Sequence, residues 1–221
     1  SLTSMRMSTG VCVLHLFCRT TDHVDRDRLN AAVDAARADD CQVITAALLG
    51  HKAQIGFMIL GKDVPLLRRF QSDVLASGLD LVDSYLSITE VSEYAAGMPE
   101  EALRARLYPV LPPEDKPAYC FYPMSKRRDA HANWYATPFD ERKEMMYEHG
   151  ASGRKFAGKL TQLITGSTGL DSHEWGVTLF ADNLEVVKDV VYTLRYDKGS
   201  ALYGDFGDIF VGSLADVDEL V

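Results

Sequence analysis

The sequence predicts an α+β protein built from two ferredoxin-like repeats that close into a dimeric-type α+β barrel within one chain. Three observations predict it. A motif is written twice: residues 55–63 (Ile-Gly-Phe-Met-Ile-Leu-Gly-Lys-Asp) and 175–183 (Trp-Gly-Val-Thr-Leu-Phe-Ala-Asp-Asn) both read as an apolar strand with an early glycine, then a polar turn carrying Asp. Gly56 and Gly176 lie 120 positions apart. The elements around each copy run strand–helix–strand–strand–helix–strand, the split βαβ plan. The strands are apolar on both faces, so a second layer must cover the sheet, and two such halves can cover each other.

The elements follow in order. Residues 11–16 (Val-Cys-Val-Leu-His-Leu) open the first half as a strand. A helix over 25–37 places Leu29, Val33 and Ala36 on one face. Strands over 43–49 and 55–61, a helix over 64–75 and a strand over 85–90 complete that half. The second half opens at 119–124 (Tyr-Cys-Phe-Tyr-Pro-Met), 108 positions after its counterpart. Its helix spans 138–149, with Thr137 as N-cap, Pro138 at the first helical position and Gly150 as the stop. Strands at 160–165 and 175–181, a helix at 184–195 and a strand at 208–211 follow. The halves are 8–95 and 119–215; the stretch 96–118, with Pro99, Pro109, Pro112, Pro113 and Pro117, reads as an ordered linker.

Composition excludes several functions. The 221 residues include 23 Lys+Arg and 32 Asp+Glu, a net charge of −9. That balance opposes a phosphate-neutralising nucleic-acid binder. The longest apolar run, Gly-Phe-Met-Ile-Leu-Gly near residue 57, is far short of a membrane span. No secretory signal pattern opens the sequence. The four cysteines (Cys12, Cys18, Cys41, Cys120) show neither a CxxC pair nor zinc spacing. They read as free thiols in a reducing, cytoplasmic setting.

Several residues are candidates for chemistry. His149 shares a helix face with Met145 and Met146. It is either a last-turn cation complementing the helix dipole or a neutral imidazole ligating a metal or haem iron in an apolar pocket. The run Phe121-Tyr122-Pro123-Met124-Ser125-Lys126-Arg127-Arg128 ends a strand on three cations. It is a solvated terminus or an anion site with a phenol beside it. Strand alternation sends Tyr122 and Phe121 to opposite faces. Gln162 lies between apolar neighbours and is either a satisfied structural amide or a ligand contact. Arg195 is either a helix-end cation or a second anion clamp. His15, His51, His131 and His173 have no recognisable partners in the sequence, and the Gly/Ser-rich turn at 164–169 lacks the ending of a phosphate loop.

The stretches Tyr122-Pro123-Met124-Ser125-Lys126-Arg127-Arg128, Asn133-Trp134-Tyr135, Glu148-His149-Gly150 and Gly153-Arg154-Lys155 resemble the chlorite dismutase-like haem proteins. So do Gln162-Leu163-Ile164-Thr165-Gly166-Ser167, residues 174–180 and Phe206-Gly207. Within that superfamily the coproheme decarboxylases are most similar, densely over 119–212. The resemblance implies two ferredoxin-like halves, a homopentamer and a porphyrin site in the second half. It implies His149 as the iron ligand, Tyr122 as the residue that oxidises the propionates, and Lys126 as its propionate-binding assistant. Met124 lines the same edge, and Gln162 takes the distal position that is arginine in chlorite dismutases. Arg195, Ser200 and Tyr85 fall at propionate-contacting positions. An upstream propionate-binding arginine falls on Arg104 or Arg106, with Arg106 preferred. The implied substrate is iron coproporphyrin III (coproheme), converted with hydrogen peroxide to haem b, with transient contact to a ferrochelatase. A chlorite-degrading or peroxidase-like enzyme, and a non-catalytic haem carrier, are the alternatives on the same scaffold.

Overall fold

The computed structural model describes residues 4–221. Its elements are β1 (Cys12–Arg19), α1 (Arg26–Ala38), β2 (Gln42–Leu48), β3 (Ile55–Gly61), α2 (Val64–Ala76), β4 (Asp80–Thr89), α3 (Glu100–Leu107), β5 (Ala118–Lys126), α4 (Phe139–Arg154), β6 (Leu160–Gly166), β7 (Trp175–Ala181), α5 (Leu184–Leu194), α6 (Lys198–Tyr203), β8 (Gly204–Phe206), β9 (Phe210–Leu214) and α7 (Val217–Leu220). The strand order within the first half is β4-β1-β3-β2, and within the second β9-β5-β7-β6. These are the same arrangement written twice, as the internal repeat predicts.

Two seams join the halves. Ile88 pairs Gly166 and Thr89 pairs Thr165 on one side. Ala46, Ala47 and Leu48 pair Leu214, Ser213 and Gly212 on the other. Because β5 also pairs β7 along its length, eight strands form a closed, wholly antiparallel ring. Inside it Phe17, Met58, Tyr119, Phe121, Phe180 and Phe210 pack from both halves. The Phe17 and Phe210 rings stack 3.9 Å apart. Each such side chain taken out of water contributes about 1.5–3 kcal/mol, so the shared interior holds the halves together. Phe121 points into this interior and Tyr122 out of it. Gly212 is demanded by the second seam, where an added Cβ would stand 1.9 Å from the Ala47 carbonyl oxygen.

Helices α1 and α2 cover the outer face of the first half. Asp25 caps α1 by accepting from the Arg28 amide at 3.0 Å, and the helix buries Leu29, Ala32, Val33 and Ala36. In the second half Asn183 caps α5 by accepting from the Val186 amide, and Val187, Val190 and Leu194 are buried. Helix α4 departs from the pattern: Met145 is its one buried residue.

Three boundaries differ from the sequence reading. Strand β4 begins at Asp80, five residues early, because its first residues largely face solvent and carry no apolar alternation. The last strand is Phe210–Leu214, where Gly212 breaks the apolar pattern. Helix α4 does not stop at Gly150 but continues to Arg154, and Pro138 rather than Thr137 occupies the N-cap. Thr137 instead donates its hydroxyl to the Asn133 carbonyl. The left-handed glycine that ends this segment is Gly158, at φ 82°. His149 is therefore mid-helix, which removes its reading as a last-turn dipole cation. The stretch 96–118 contains α3. Among the described residues no helix is long and apolar enough to cross a membrane.

Candidate functional site

The site arises where the two repeats differ. In the first half α1 seals the outer face of β2, whose residues are all buried or half-buried. In the second half α4 stands away from β6, leaving Gln162 and Ile164 exposed on the outer face. The result is an open cleft lined by Tyr122, Met124, His149, Gln162, Ile164, Val177, Val191, Leu194, Arg195, Ser200 and Phe206. Its walls are mainly apolar; polar groups are few and placed singly.

His149 enters from α4. Its Nδ1 lies 2.8 Å from Oδ2 of Asp197, whose side chain is fully buried. A carboxylate oxygen accepts here, so Nδ1 carries a proton, and in the neutral ring Nε2 keeps its lone pair. Among the described residues Nε2 has no hydrogen-bond partner. Asp197 is itself fixed, since its Oδ1 accepts from the Ser200 amide at 2.8 Å as the N-cap of α6. An imidazole oriented by a carboxylate in this way could serve as a metal ligand through its second nitrogen.

Tyr122 enters from β5, buried against Phe206 with ring centroids 5.7 Å apart. Burial raises its phenol well above the ordinary tyrosine range, with the Arg195 charge pulling the other way. The neutral phenol is therefore the resident form. Arg195 follows α5, lies exposed at the cleft, and sits 5.2 Å above the Phe206 ring. Met124 is half-buried two residues beyond Tyr122 on the same strand face. Gln162 is exposed on the sheet side, so it is not the satisfied buried amide its apolar neighbours suggest.

Lys126 continues the Tyr122–Met124 face but lies behind the cleft wall, not on its lining. Its Nζ donates to the Gly199 carbonyl at 3.0 Å and stands 4.9 Å over the Trp134 ring. Burial pushes it down to about 8, against the opposing pull of Asp197 and Glu174. Two expected contacts fall elsewhere. Tyr85 faces into the barrel, where its hydroxyl hydrogen-bonds to the Ser167 Oγ at 2.6 Å and donates to the Trp175 carbonyl. Alternation along β4 puts it beside Phe121, on the opposite sheet face from Tyr122. Arg106 is exposed on α3 and is not among the cleft-lining residues; Arg104 on the same helix stacks over Tyr108 instead. Asp197 and the wall residues Val191 and Leu194 were not singled out by sequence, and Val177 and Phe206 only within stretches that carry the resemblance, with no role of their own. For Asp197 the available signal is its capping relation to Ser200, three residues on.

The family model described as chlorite dismutase matches residues 25–215. A protein of Natronomonas pharaonis named for haem binding is 40% identical over 210 residues, covering 88% of this chain. The chain spans about a third of that relative's length, 35%. Among solved structures, a heme-binding protein from Thermus thermophilus superposes with a TM-score of 0.86 at 31% identity, covering 98% of this chain and 96% of its own. A chlorite dismutase variant from Candidatus Nitrospira defluvii shares the fold, with a TM-score of 0.76, 18% identity and coverage of 97% and 95%. The chain belongs to the chlorite dismutase family.

Proposed function

We propose that this protein is a coproheme decarboxylase: it binds iron coproporphyrin III through His149 and uses hydrogen peroxide to convert two propionates to vinyl groups, giving haem b. The observation that carries the reading is the pairing of a carboxylate-oriented imidazole with a buried, protonated phenol in one cleft. The apolar walls suit a porphyrin face, and the uncovered outer face of β6 leaves room for a flat group. Likeness to proteins named for haem binding supports the same ligand class.

The iron porphyrin supplies the oxidising chemistry when bound. The chain's own residues bind, orient and relay. His149 holds the iron, and Asp197 fixes the ring that does so. Arg195 and Ser200 take carboxylates at the rim. Tyr122 relays the oxidation to a propionate side chain. For each propionate, counted as its acid, the balance is loss of carbon dioxide, two electrons and two protons, while one peroxide becomes two waters. Lys126, whose ammonium burial pushes down to about 8, stands behind that wall as a group able to exchange a proton. Gln162 on the sheet side gives the bound oxidant neither a cation nor a base. Homopentameric assembly, cytoplasmic work and hand-over from a ferrochelatase belong to the same reading.

The test is mass spectrometry of the porphyrin after the apo-protein is mixed with coproheme and titrated with peroxide. Successive loss of two carboxyl groups is expected. Tyr122→Phe should bind coproheme as before and yield no haem b; haem b formed at the unaltered rate would refute the role of Tyr122. Chlorite turnover with oxygen release would instead support the chlorite dismutase reading, and tight binding without a peroxide product would support a carrier.

A further inference from the structure

Behind the helix segment that carries His149 lies a second, shallow open groove. Its lining is Glu148 and Ser152 from α4 and Lys155 just after it, with Tyr192 and Thr193 from the last turn of α5 and Tyr196 and Asp197 just beyond. Two exposed tyrosines form its aromatic wall. The hydroxyls of Tyr192 and Tyr196 are 2.7 Å apart, and their rings meet edge to face at 5.3 Å. Both are largely exposed, at 54% and 72%. A protein surface ordinarily gives a phenol to water; here each phenol is paired with another.

That pairing has a chemical consequence. A phenol that loses an electron becomes strongly acidic and must lose its proton. In this pair the neighbouring hydroxyl is already in hydrogen-bond contact; it takes up the proton while releasing its own to the surrounding water, so electron and proton leave together. The groove is also wired to the cleft. Tyr196 is followed in the chain by Asp197, and Asp197 is hydrogen-bonded to His149 at 2.8 Å. Glu148 and Asp197 line the groove while His149 and Arg195 line the cleft. One helix wall separates the two spaces.

We propose that the Tyr192–Tyr196 pair is a surface electron-entry site, where a small phenolic donor docked in this groove reduces the oxidised porphyrin centre through Tyr196 and Asp197. The inference rests on the porphyrin reading of the cleft and adds a second substrate class to it. Each donor gives up one electron and one proton. Two donors reduce one peroxide to two waters and leave two phenoxyl radicals. The donor ring stacks on the exposed tyrosines, and Ser152, Lys155 and Glu148 offer polar contacts to its substituents. The site accounts for oxidising equivalents that find no propionate left to attack.

The experiment compares haem-loaded wild type, Tyr192→Phe and Tyr196→Phe, with 2-methoxyphenol as the donor. Haem loading is read first by absorption and should be equal in all three, since neither tyrosine lines the cleft. A chain that takes up no porphyrin would overturn the proposed function and this inference with it. With loading equal, both variants should oxidise the donor more slowly by roughly a hundredfold, the low end for a positioned proton acceptor. The second readout is covalent. Peroxide without donor should join the tryptic peptides 189–195 and 196–198 by a dityrosine bond in wild type, and added 2-methoxyphenol should suppress it. Donor oxidation within about twofold of wild type in both variants would overturn the inference.

Discussion

Replacing Asp197 by Asn tests the electrostatic centre of the site. The change keeps the side chain's size but removes its charge and one of its two acceptors. In the native site Oδ2 takes the His149 Nδ1–H and Oδ1 takes the Ser200 amide, both at 2.8 Å. An amide has one oxygen for these two donors. If the oxygen stays on the Ser200 amide, the NH₂ group faces His149, and the ring must move its proton to Nε2. The lone pair that would ligate iron is then lost. If the oxygen turns to His149, the Ser200 amide is left facing a donor at the buried start of α6. Either way a charge-assisted hydrogen bond worth about 1.5–3 kcal/mol disappears. At about 1.4 kcal/mol per factor of ten, that weakens porphyrin affinity by roughly 10- to 150-fold. The range agrees with the roughly 10- to 100-fold cost of losing the partner of a metal-ligating histidine. The assay is absorption-monitored titration of haem b into apo-protein, wild type beside Asp197→Asn, with thermal unfolding of both apo-proteins to show that the fold persists. Equal affinity and an unchanged bound spectrum would show that Asp197 does not set the tautomer, and the assignment of Nε2 as ligand would fall.

Two further predictions concern the barrel. His15 is wholly buried between Phe17 and Phe121, hydrogen-bonded to Thr178 at 3.1 Å, with its Nδ1 unpartnered; burial pushes it down to about 3 from an ordinary 6.5. The unfolded chain thus binds a proton there that the native chain refuses, so this contribution is whole above pH 6.5 and is lost as pH falls toward 3. His15→Gln should flatten the fall in urea midpoint over that window, and an unchanged slope would refute the assignment. Gly212→Ala places a methyl against the Ala47 carbonyl, which is backbone and cannot rotate away. It should cost about 3 kcal/mol or more, roughly 6–12 °C in Tm; a shift below about 2 °C would mean that the β2–β9 seam is looser than described.

Much of this architecture was legible before any coordinates. The repeated strand–turn–helix motif at 55–63 and 175–183 revealed both halves, because apolar runs and helix faces are local patterns. Their mutual coverage followed from strands with two apolar faces. The cleft was harder to read. Its existence depends on what α4 fails to bury, and a weakly amphipathic helix announces only that something is missing. Gly150 misled for a related reason: glycine marks a stop only where the backbone turns left-handed, and here that happens at Gly158. His149 and Tyr122 were visible through the resemblance. Asp197 was not, because its meaning lies in a contact across 48 residues of chain. Tyr85 shows the opposite case: a suggestive position whose strand parity sends the ring into the core.

The closed ring of strands also constrains how copies of this chain can meet. An open sheet ends in a row of unpaired amides and carbonyls that will accept another chain's strand. Here, among the described residues, each of the eight ring strands has a partner strand on both sides, but the seams are short: residues 80–87 of β4 and 160–164 of β6 are paired on one side only, as are 42–45 of β2. Association by strand addition is confined to these frayed stretches beside the two seams, where β4 turns largely exposed residues to solvent. Elsewhere an assembly must be built from side chains on helices, turns and the outer sheet surface, so that partners there are selected by shape and charge rather than by backbone pairing.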